Sequence, residues 1–360
     1  MSQDHGGNIK EVAEKFNLSE EKIVDFSANI NFVGPPPDVY RIIKNELKSI
    51  ERYPETNSKN IKQRLVNKYN LELNNLIIGN GAVELIYLLA KVMDVKKGLI
   101  LAPTFSEYEK ALKSEDVDIK YHYLKPENDF QIEIDRLKKD LKKDIDIFFL
   151  CNPNNPTGTF INKVDIQNIL EHNKDKGIFT VIDEAFIDFV DRNISALSLL
   201  KDHNHLFILR SLTKFFAVPG LRLGYGVGHK ELLDKMNMGK DPWNVNILAQ
   251  KAAEVILHQN QYEKLTKKAI YQEKIFLYKK LQEIENIKVY YPNANYIFID
   301  LNNAKLKASQ LYSKLAQEGI LIRNCSNYQG LDDNYIRIAV KSRQENKKLI
   351  ANFKKLLNHK

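Results

Sequence analysis

Short apolar runs alternate along this chain with longer stretches in which apolar positions recur with helical spacing. Apolar runs rich in Ile, Leu and Phe are typical of buried strands, and the helical spacing is typical of helices with one buried face. Strands that alternate with helices predict an α/β fold with a mostly parallel sheet covered on both faces. The predicted strands include residues 76–78, 99–101, 145–150, 179–182 and 206–209, and the predicted helices include residues 82–93, 106–114 and 165–174.

The C-terminal part of the chain predicts a smaller α/β unit. A helical pattern that is continuous over residues 244–282 would carry the chain out of the sheet domain. Shorter patterns follow it, with strands predicted at 296–301, 320–323 and 335–339, a helix near 309–317 and a final helix. A length of 360 residues also suits two domains, or one large domain with a smaller lobe, better than a single compact core. The expected division is an N-terminal arm or small-domain segment at 1–40, a large cofactor-binding domain at 41–245, connecting helices at 246–285 and a small domain at 286–360.

Composition limits the kinds of partner. The net charge is +8, but the lysines are scattered, and acids interrupt the densest basic segment at 138–144, which indicates a solvated helix face rather than a nucleic-acid site. The apolar run at 145–150 is too short and too charged to span a bilayer, and the polar N-terminus argues against a secretory signal. Cys151 and Cys325 lack the spacing of a metal site or a disulfide framework, and no histidine cluster suggests a metal. We expect a cytoplasmic protein without nucleic-acid or membrane partners.

The string G-N-G-A-V-E at 79–84 follows the first of these strands and opens a helix. Gly81, Ala82 and Val83 would present backbone N–H groups at the positive end of the helix dipole, where phosphates bind. Glu84 replaces the last glycine of a full G-x-G-x-x-G pattern. Taken alone, the string is therefore as typical of a plain turn as of a phosphate site.

Two further loops that follow strands contain polar residues of interest. In N-P-N-N-P-T-G at 152–158, two prolines restrict the backbone and can fix the direction of the Asn155 side chain. Asp183 ends an apolar strand, where a carboxylate is costly unless a cation faces it. A protonated pyridine nitrogen would be such a cation, although an acid that stood alone here would more often be a helix N-cap or a supporting group.

The strand at 206–209 leads into R-S-L-T-K-F-F at 210–216. Lys214 lies between hydroxyl residues and phenylalanines, where desolvation would lower its pKa and make its amine nucleophilic toward an aldehyde. Ser211, Thr213 and Arg222 would supply donors and a charge for a phosphate on the same ligand. An isolated lysine is almost always a surface lysine, but this one belongs to a basic and hydroxyl-rich cluster.

These loops are expected to converge, because ligands of open α/β sheets bind beyond the carboxyl ends of the strands. Together they match the chemical groups of pyridoxal 5′-phosphate: Lys214 suits the aldehyde, Asp183 the ring nitrogen, Asn155 the phenolic oxygen, and the remaining donors the phosphate. Tyr108 follows the strand at 99–101. It is expected either to stack on the cofactor ring or to be a buried helix residue.

The order of these motifs resembles that of the class I and II aminotransferase superfamily over nearly the whole chain. Within it, the chain is similar to the L-threonine O-3-phosphate decarboxylases of cobalamin biosynthesis, relatives of the histidinol-phosphate aminotransferases. The resemblance implies the fold-type I architecture of pyridoxal-phosphate-dependent transferases. The strings that carry it are H-G-G-N-I at 5–9, D-F-S-A-N-I-N at 25–31, R-Y-P at 52–54, L-I-R-N-C at 321–325 and Y-I-R-I at 335–338.

The resemblance implies a role for each matching residue. Lys214 would carry the cofactor as a Schiff base, Asp183 would face the pyridine nitrogen, and Tyr108 would stack on the ring. Asn155 would face the phenolic oxygen. The cofactor phosphate would be bound by Gly81, Ala82, Val83, Ser211, Thr213, Arg222 and, from a second subunit, Tyr53, which implies a homodimer with shared active sites. The substrate would be bound by His5, Asn29, Arg323 and Arg337. The resemblance does not divide the α-carboxylate and the phosphate between the two arginines, and Arg323 is taken as the candidate for the phosphate.

The expected activity is decarboxylation of L-threonine O-3-phosphate to (R)-1-amino-2-propanol O-2-phosphate for the cobalamin aminopropanol linker. Phosphoserine or a related phospho-amino acid is a further candidate substrate. A histidinol-phosphate-type aminotransferase is the nearest alternative. The resemblance weakens it, because many aminotransferases have a tyrosine that donates a hydrogen bond to the phenolic oxygen at the position where this chain has Phe186. Phenylalanine cannot donate such a bond. A non-catalytic, pyridoxal-phosphate-binding or regulatory protein is a third possibility, against which the intact Lys214 and Asp183 argue.

Overall fold

The computed structural model describes residues 6–190 and 192–357, which form three sheets and the helices that cover them. The strands are β1 (Val24–Asp25), β2 (Leu76–Asn80), β3 (Lys97–Ala102), β4 (Asp118–Tyr123), β5 (Ile147–Cys151), β6 (Phe179–Asp183), β7 (Leu206–Ser211), β8 (Leu223–Val227), β9 (Lys288–Val289), β10 (Tyr296–Asp300), β11 (Ile320–Leu321), β12 (Arg323–Asn324) and β13 (Tyr335–Ala339). The helices are α1 (Ile9–Phe16), α2 (Pro37–Asn45), α3 (Lys59–Tyr69), α4 (Ala82–Val92), α5 (Glu107–Lys113), α6 (Ile134–Asp140), α7 (Lys163–Lys176), α8 (Lys230–Gly239), α9 (Ile247–Ile256), α10 (Asn260–Leu281), α11 (Ala308–Gln317) and α12 (Arg343–Leu357).

The largest sheet has the strand order β2-β8-β7-β6-β5-β3-β4. Its strands run in one direction except β8, which pairs antiparallel with both β2 and β7. Successive side chains of a strand enter different apolar clusters, as Phe148 and Phe149 of β5 do. Because both faces of the sheet are buried, its strands are nearly continuous apolar runs. The directions of the strands confirm the predicted mostly parallel sheet.

The two smaller sheets involve the C-terminal part of the chain. One is antiparallel with the order β12-β13-β10-β9, and in the other β1 pairs in parallel with β11. Phe26, directly after β1, is buried in the same apolar cluster as Leu277 of α10 and Phe353 of α12. The N-terminal segment thus packs against the C-terminal part of the chain. The domain boundaries at residues 41, 246 and 286 stay a prediction.

Two element predictions differ from the structure. The apolar run at 320–323 predicts one strand, but β11 pairs with β1 and β12 pairs with β13, so the chain passes from one sheet to another at Ile322. The helical pattern at 244–282 is divided into α9 and α10, which residues 257–259 separate. An apolar pattern shows which side chains are buried, but it does not show where the backbone changes direction.

The structure also bears on disulfides, metal sites and membrane-spanning helices. Cys151 and Cys325 are free thiols, and both are buried. Within residues 6–190 and 192–357, no group of three His, Cys, Asp or Glu side chains is arranged to bind a metal ion. None of the described helices combines the length and the apolarity needed to cross a lipid bilayer.

Candidate active site

The loops that follow β2, β3, β5, β6 and β7 lie at one edge of the large sheet. These strands share one direction, because β3, β5, β6 and β7 pair in parallel and β2 and β7 both pair antiparallel with β8. Their carboxyl ends therefore meet where open α/β sheets bind ligands. β8 begins at the same edge because it runs in the opposite direction. The structure thus brings together Gly81, Asn155, Asp183, Lys214 and Arg222.

Lys214 lies in the loop after β7 and is partly exposed. Its Nζ donates to Oγ of Ser211 at 3.0 Å and lies 5.8 Å from the ring centre of Phe186. Burial lowers the pKa of this ammonium group; the charge of Asp183 opposes that effect, and the charge of Arg222 adds to it. A lowered pKa leaves more of the amine neutral at neutral pH. The amine is therefore a better nucleophile toward an aldehyde than that of an exposed lysine.

Asp183 is the last residue of β6 and is buried. Its Oδ1 accepts a hydrogen bond from the backbone N–H of Ala185 at 2.8 Å, and its Oδ2 accepts one from the hydroxyl of Tyr108 at 2.7 Å. Burial raises the pKa of this carboxyl, whereas the hydrogen bond from Tyr108 and the charge of Lys214 lower it. A buried carboxylate that is supported by such donors can stabilise a cationic group placed opposite it.

The turn before α4 and Arg222 together form an anion-binding surface. Gly81 has a φ of +81°, a conformation that glycine adopts without strain. A Cβ on Gly81 would lie 2.3 Å from Nη2 of Arg222, and a Cβ on Gly224 would lie 2.3 Å from the backbone N of Ala82. The two glycines therefore allow a guanidinium and a strand to approach the first turn of α4 closely. The N–H groups of Ala82 and Val83, beside a guanidinium, are a donor set suited to a phosphate.

These groups fit pyridoxal phosphate. Oγ of Ser211 lies 2.8 Å from Oγ1 of Thr213 and 3.0 Å from Nζ of Lys214, so the Ser211 hydroxyl links that of Thr213 to the amine. Lys214 and Asp183 are near enough for each charge to change the pKa of the other. An amine, a buried carboxylate and an anion-binding turn are the partners required by the aldehyde, the ring nitrogen and the phosphate of this cofactor.

Asn155 connects this sheet edge to the antiparallel sheet. Its Oδ1 accepts hydrogen bonds from Nη1 of Arg337, on β13, and from the hydroxyl of Tyr328 at 3.4 Å. Nη2 of Arg337 donates to the backbone carbonyl of Ser27 at 2.6 Å. Arg337 is buried, and its Nε has no hydrogen-bond partner among the described residues. This guanidinium can therefore bind a further acceptor.

Arg323 lies directly opposite Arg337 in the register of β12 and β13, and it is also buried. Its Nη1 donates to the backbone carbonyl of Asn324 and its Nη2 donates to Oδ1 of Asn327, each at 2.7 Å. Its guanidinium lies 5.1 Å from the ring centre of Tyr328. Like charges directly opposite each other on neighbouring strands repel. An anion bound beside this arginine pair would relieve that repulsion.

Tyr108 lacks the environment that stacking on a cofactor requires. It is completely buried, and its ring stacks on that of Phe149, with ring centres 5.0 Å apart. A ring without exposed surface has no free face for a cofactor. We therefore replace the prediction of stacking by a contact through the hydroxyl, which reaches Asp183. The other expectation, that Tyr108 is a buried helix residue, agrees with its place in α5.

Three other predicted binding residues have different environments. Asn29 is buried, and its Oδ1 has no partner in the described part of the chain, while its backbone carbonyl accepts from Nδ2 of Asn295 at 3.0 Å. Tyr53 is 77% exposed, and its ring stacks on that of Trp243 at 4.7 Å. His5 lies outside the described residues.

Two residues near the site are missed by the motifs. Phe105 is partly exposed, lies in the loop between β3 and α5, and is edge-on to Tyr108 with ring centres 5.6 Å apart. Tyr328 contacts Asn155 and also lies beside both arginines. Phe105 had a signal in the sequence, because an aromatic residue three positions before Tyr108 follows the same strand. Tyr328 had only its position between the two arginine-containing strings.

Comparisons with known proteins agree with this geometry. The sequence model of the family described as aminotransferase class I and II matches residues 21–353. A threonine-phosphate decarboxylase of Salmonella typhimurium is 36% identical and covers 98% of this chain and 96% of its own length. A histidinol-phosphate aminotransferase of Methanosphaera stadtmanae is 32% identical over 98% and 96% of the two chains. The solved structure of the histidinol-phosphate aminotransferase from Clostridium acetobutylicum has a TM-score of 0.86 at 33% identity and covers 92% of this chain and 98% of that one.

These matches extend over almost the full length of this chain and of its relatives, so they apply to all of this chain rather than to one of its domains. They confirm the fold class, the resemblance stated from the motifs and the use of pyridoxal phosphate. The chain belongs to the class I and II aminotransferase family and is a pyridoxal-phosphate-dependent enzyme.

Proposed function

We propose that this enzyme decarboxylates L-threonine O-3-phosphate to (R)-1-amino-2-propanol O-2-phosphate, for the aminopropanol linker of cobalamin. Similarity to a threonine-phosphate decarboxylase over nearly the whole of both chains supports the proposal. The structural observation that carries it is the arginine pair, Arg323 and Arg337, buried and in register beside Asn155. Two adjacent guanidinium groups suit a substrate with two anionic groups, here a carboxylate and a phosphate.

We assign the groups around Lys214 to the cofactor. Nζ of Lys214 would bind the aldehyde, Asp183 would face the ring nitrogen, and Asn155 would face the phenolic oxygen. Phe105, rather than Tyr108, would lie against the ring. The cofactor phosphate would be bound by Gly81, Ala82, Val83, Ser211, Thr213 and Arg222. When bound, the cofactor supplies an electron sink for the bond that breaks at the α-carbon of the substrate.

The substrate-binding residues would determine which bond breaks. A bond at the α-carbon breaks most readily when it is perpendicular to the cofactor ring, so the outcome depends on orientation. We assign Arg337, which bonds with Asn155, to the carboxylate, and Arg323 to the phosphate, with Asn29 and His5 as further substrate contacts. Two anchors fix the rotation of the α-carbon. Binding energy away from that carbon would thereby favour loss of carbon dioxide over loss of hydrogen.

Lys214 is also the proton donor that we assign to the reaction. Loss of carbon dioxide leaves an electron pair at the α-carbon, and a proton must replace the carboxylate there to give the amine product. Nζ of Lys214 is held by Ser211 at the same sheet edge as Asp183 and Asn155. Because burial lowers the pKa of Lys214, its ammonium form gives up a proton more readily than an exposed lysine does.

Carbon dioxide release without an acceptor tests the proposal. The holoenzyme supplied with L-threonine O-3-phosphate alone is expected to form carbon dioxide and amine in equal amounts. Lys214→Ala should lower the rate at least about a hundredfold, whereas Lys230→Ala, at an exposed lysine that pairs with Asp234, serves as the control. Turnover only with histidinol phosphate and 2-oxoglutarate would contradict the proposal. O-Phospho-L-serine tests recognition of the substrate methyl group, which is worth about 1–3 kcal/mol.

A histidinol-phosphate-type aminotransferase is the second candidate, and similarity to the Methanosphaera stadtmanae enzyme favours it. Phe186 argues against it. The ring of Phe186 lies edge-on to Tyr296 with centres 5.1 Å apart and also lies 5.8 Å from Nζ of Lys214. It therefore offers no hydroxyl near the amine, and Asn155 would be left as the main donor to the phenolic oxygen.

We also propose that the enzyme is a cytoplasmic homodimer in which Tyr53 reaches the cofactor phosphate of the second subunit. The exposed, stacked pair of Tyr53 and Trp243 supports this assembly. Tyr40, Leu47 and Ile50 are exposed nearby in the sequence. Exposed apolar surface of this kind is typical of protein interfaces.

A further inference from the structure

The hydroxyl of Tyr108 is held in one position by the packing of its ring. The ring stacks on Phe149, with an interplanar angle of 18°, and meets the ring of Phe105 edge-on. Tyr108 has no exposed surface. Its hydroxyl therefore has little freedom, and it donates to Oδ2 of Asp183 at 2.7 Å.

Tyr108 is a donor in this hydrogen bond and stays protonated. Burial, followed by the charge of Asp183, raises the pKa of its phenol well above the usual value. Ala185 occupies the other carboxylate oxygen with its backbone N–H. Each oxygen of Asp183 thus accepts one hydrogen bond from the protein. This arrangement fixes the plane of the carboxylate and leaves lone pairs for a ligand.

Other titratable groups face Asp183 without donating to it. Burial raises the pKa of Cys151 to about 12, so its thiol is neutral. Tyr296 donates to the backbone carbonyl of Asn154 at 2.6 Å, and Lys214 donates to Ser211. Among the described residues, Tyr108 is the one side chain that donates a hydrogen bond to Asp183.

We propose that Tyr108 is a positioning residue, which holds the Asp183 carboxylate through its hydroxyl in the orientation needed to face the ring nitrogen of the cofactor. The inference rests on the proposed placement of Asp183 at that nitrogen. A donor to a carboxylate favours its charged form. Tyr108 thereby helps Asp183 to keep the ring positive, and a positive ring makes the nitrogen that joins the cofactor to Lys214 less basic.

Titration of the bound cofactor, without substrate, tests this role. Tyr108→Phe keeps the ring and its stacking but removes the hydroxyl, so the apparent pKa of the visible absorbance of the holoenzyme is expected to rise by about one unit. Asp183→Asn is expected to cause a larger rise. Tyr225→Phe is the matched control, because it removes an equally buried hydroxyl that bonds with Tyr69 rather than with Asp183. It is expected to titrate as the unmodified enzyme does.

The variants separate failure of this inference from failure of the proposed site. If Asp183→Asn shifts the titration and Tyr108→Phe does not, Tyr108 has no positioning role. If neither shifts it, Asp183 does not face the ring nitrogen, and the inference fails together with that placement. Phe149→Leu keeps the hydroxyl but removes the ring that supports Tyr108, and a smaller rise is expected. If Tyr108→Phe does not fold, Phe149→Leu becomes the test. An unchanged titration of Phe149→Leu would then overturn the proposal.

Discussion

Arg323 and Arg337 face each other across β12 and β13, but their contacts differ. Arg337 bonds with Asn155 at the sheet edge, whereas Arg323 bonds with Asn324 of its own strand and with Asn327 in the loop that follows. We therefore expect Arg323→Gln to lower kcat/KM for L-threonine O-3-phosphate by about ten- to a hundredfold, because a hydrogen bond between charged groups is worth about 1.5–3 kcal/mol. The same variant should leave the slow reaction of L-threonine, which lacks the phosphate, almost unchanged.

Steady-state kinetics with both substrates provide the measurement. Arg337→Gln is expected to slow both reactions, because both substrates have the carboxylate. Arg343→Gln, at a half-exposed arginine that pairs with Glu273, is the control for loss of a positive charge. If Arg337→Gln were the variant that loses the preference for the phosphorylated substrate, the two assignments would have to be exchanged.

Individual residues differ in how far the sequence predicts them. Asp183 and Lys214 are recognisable because a carboxylate at the end of an apolar strand, and a lysine among hydroxyl and aromatic residues, are unusual chemistry for their surroundings. The sequence also predicts that Tyr108 follows a strand. It cannot predict where its hydroxyl points, which depends on packing against Phe149 on a neighbouring strand. Tyr328 is missed because a loop residue has no periodic pattern, and its contact with Asn155 depends on long-range pairing.

At the scale of elements, Gly224 in β8 controls how closely the strand approaches α4. A methyl group at this position would lie 2.3 Å from the backbone N of Ala82. Gly224→Ala is therefore expected to displace the first turn of α4 and to destabilise the protein by about 1–3 kcal/mol. Cofactor affinity should fall about tenfold if one hydrogen bond to the phosphate is lost.

Thermal unfolding of the apoprotein and titration with the cofactor measure the two effects. Gly220→Ala is the matched control, since an added methyl group there meets nothing within 4 Å. It should change neither quantity. Equal cofactor affinity in the two variants would mean that the turn before α4 does not bind the cofactor phosphate.

The elements that the pattern predicts well are those buried on both faces, such as β5 and β6. β4 is not predicted because it is a partly exposed edge strand with many polar residues. β8 is not predicted because it contains Gly224 and Gly226, and glycine has a low strand propensity. The structure explains the second glycine, since a Cβ on Gly226 would lie 2.3 Å from the ring of Phe207. Close packing against Phe207 requires glycine at position 226, and the sequence alone does not show that contact.

At the scale of the whole molecule, the site depends on segments that are far apart in the chain. The pairing of β1 with β11 places Ser27 where its carbonyl accepts from Arg337, and Asn29 where its carbonyl accepts from Asn295. These contacts have no local signal, because each joins a residue within the first 30 of the chain to one more than 260 positions later. Motif order predicts which residues take part, and only the fold shows how they meet.

The proposed dimer predicts that two impaired variants can restore activity to each other when their subunits mix. If Tyr53 contributes to the site of its partner, Tyr53→Phe and Lys214→Ala damage different halves of a shared site. Mixed dimers of the two variants would contain one site with both residues intact and one with neither. Random mixing should therefore restore activity to about a quarter of that of the unmodified enzyme. Each variant alone should stay below that level, although Tyr53→Phe should be the less impaired.

Refolding or prolonged mixing of the two purified variants, with carbon dioxide release as the readout, provides this test. Analytical ultracentrifugation of each variant establishes whether the dimer forms at all. A Lys230→Ala subunit in place of the Lys214→Ala subunit is the control for exchange, because its mixed dimers with Tyr53→Phe would have one complete site and one that lacks only the Tyr53 hydroxyl. Dimers that exchange subunits but regain no activity would mean that Tyr53 and Lys214 act in the same subunit, since only sites built from two chains can be completed by mixing.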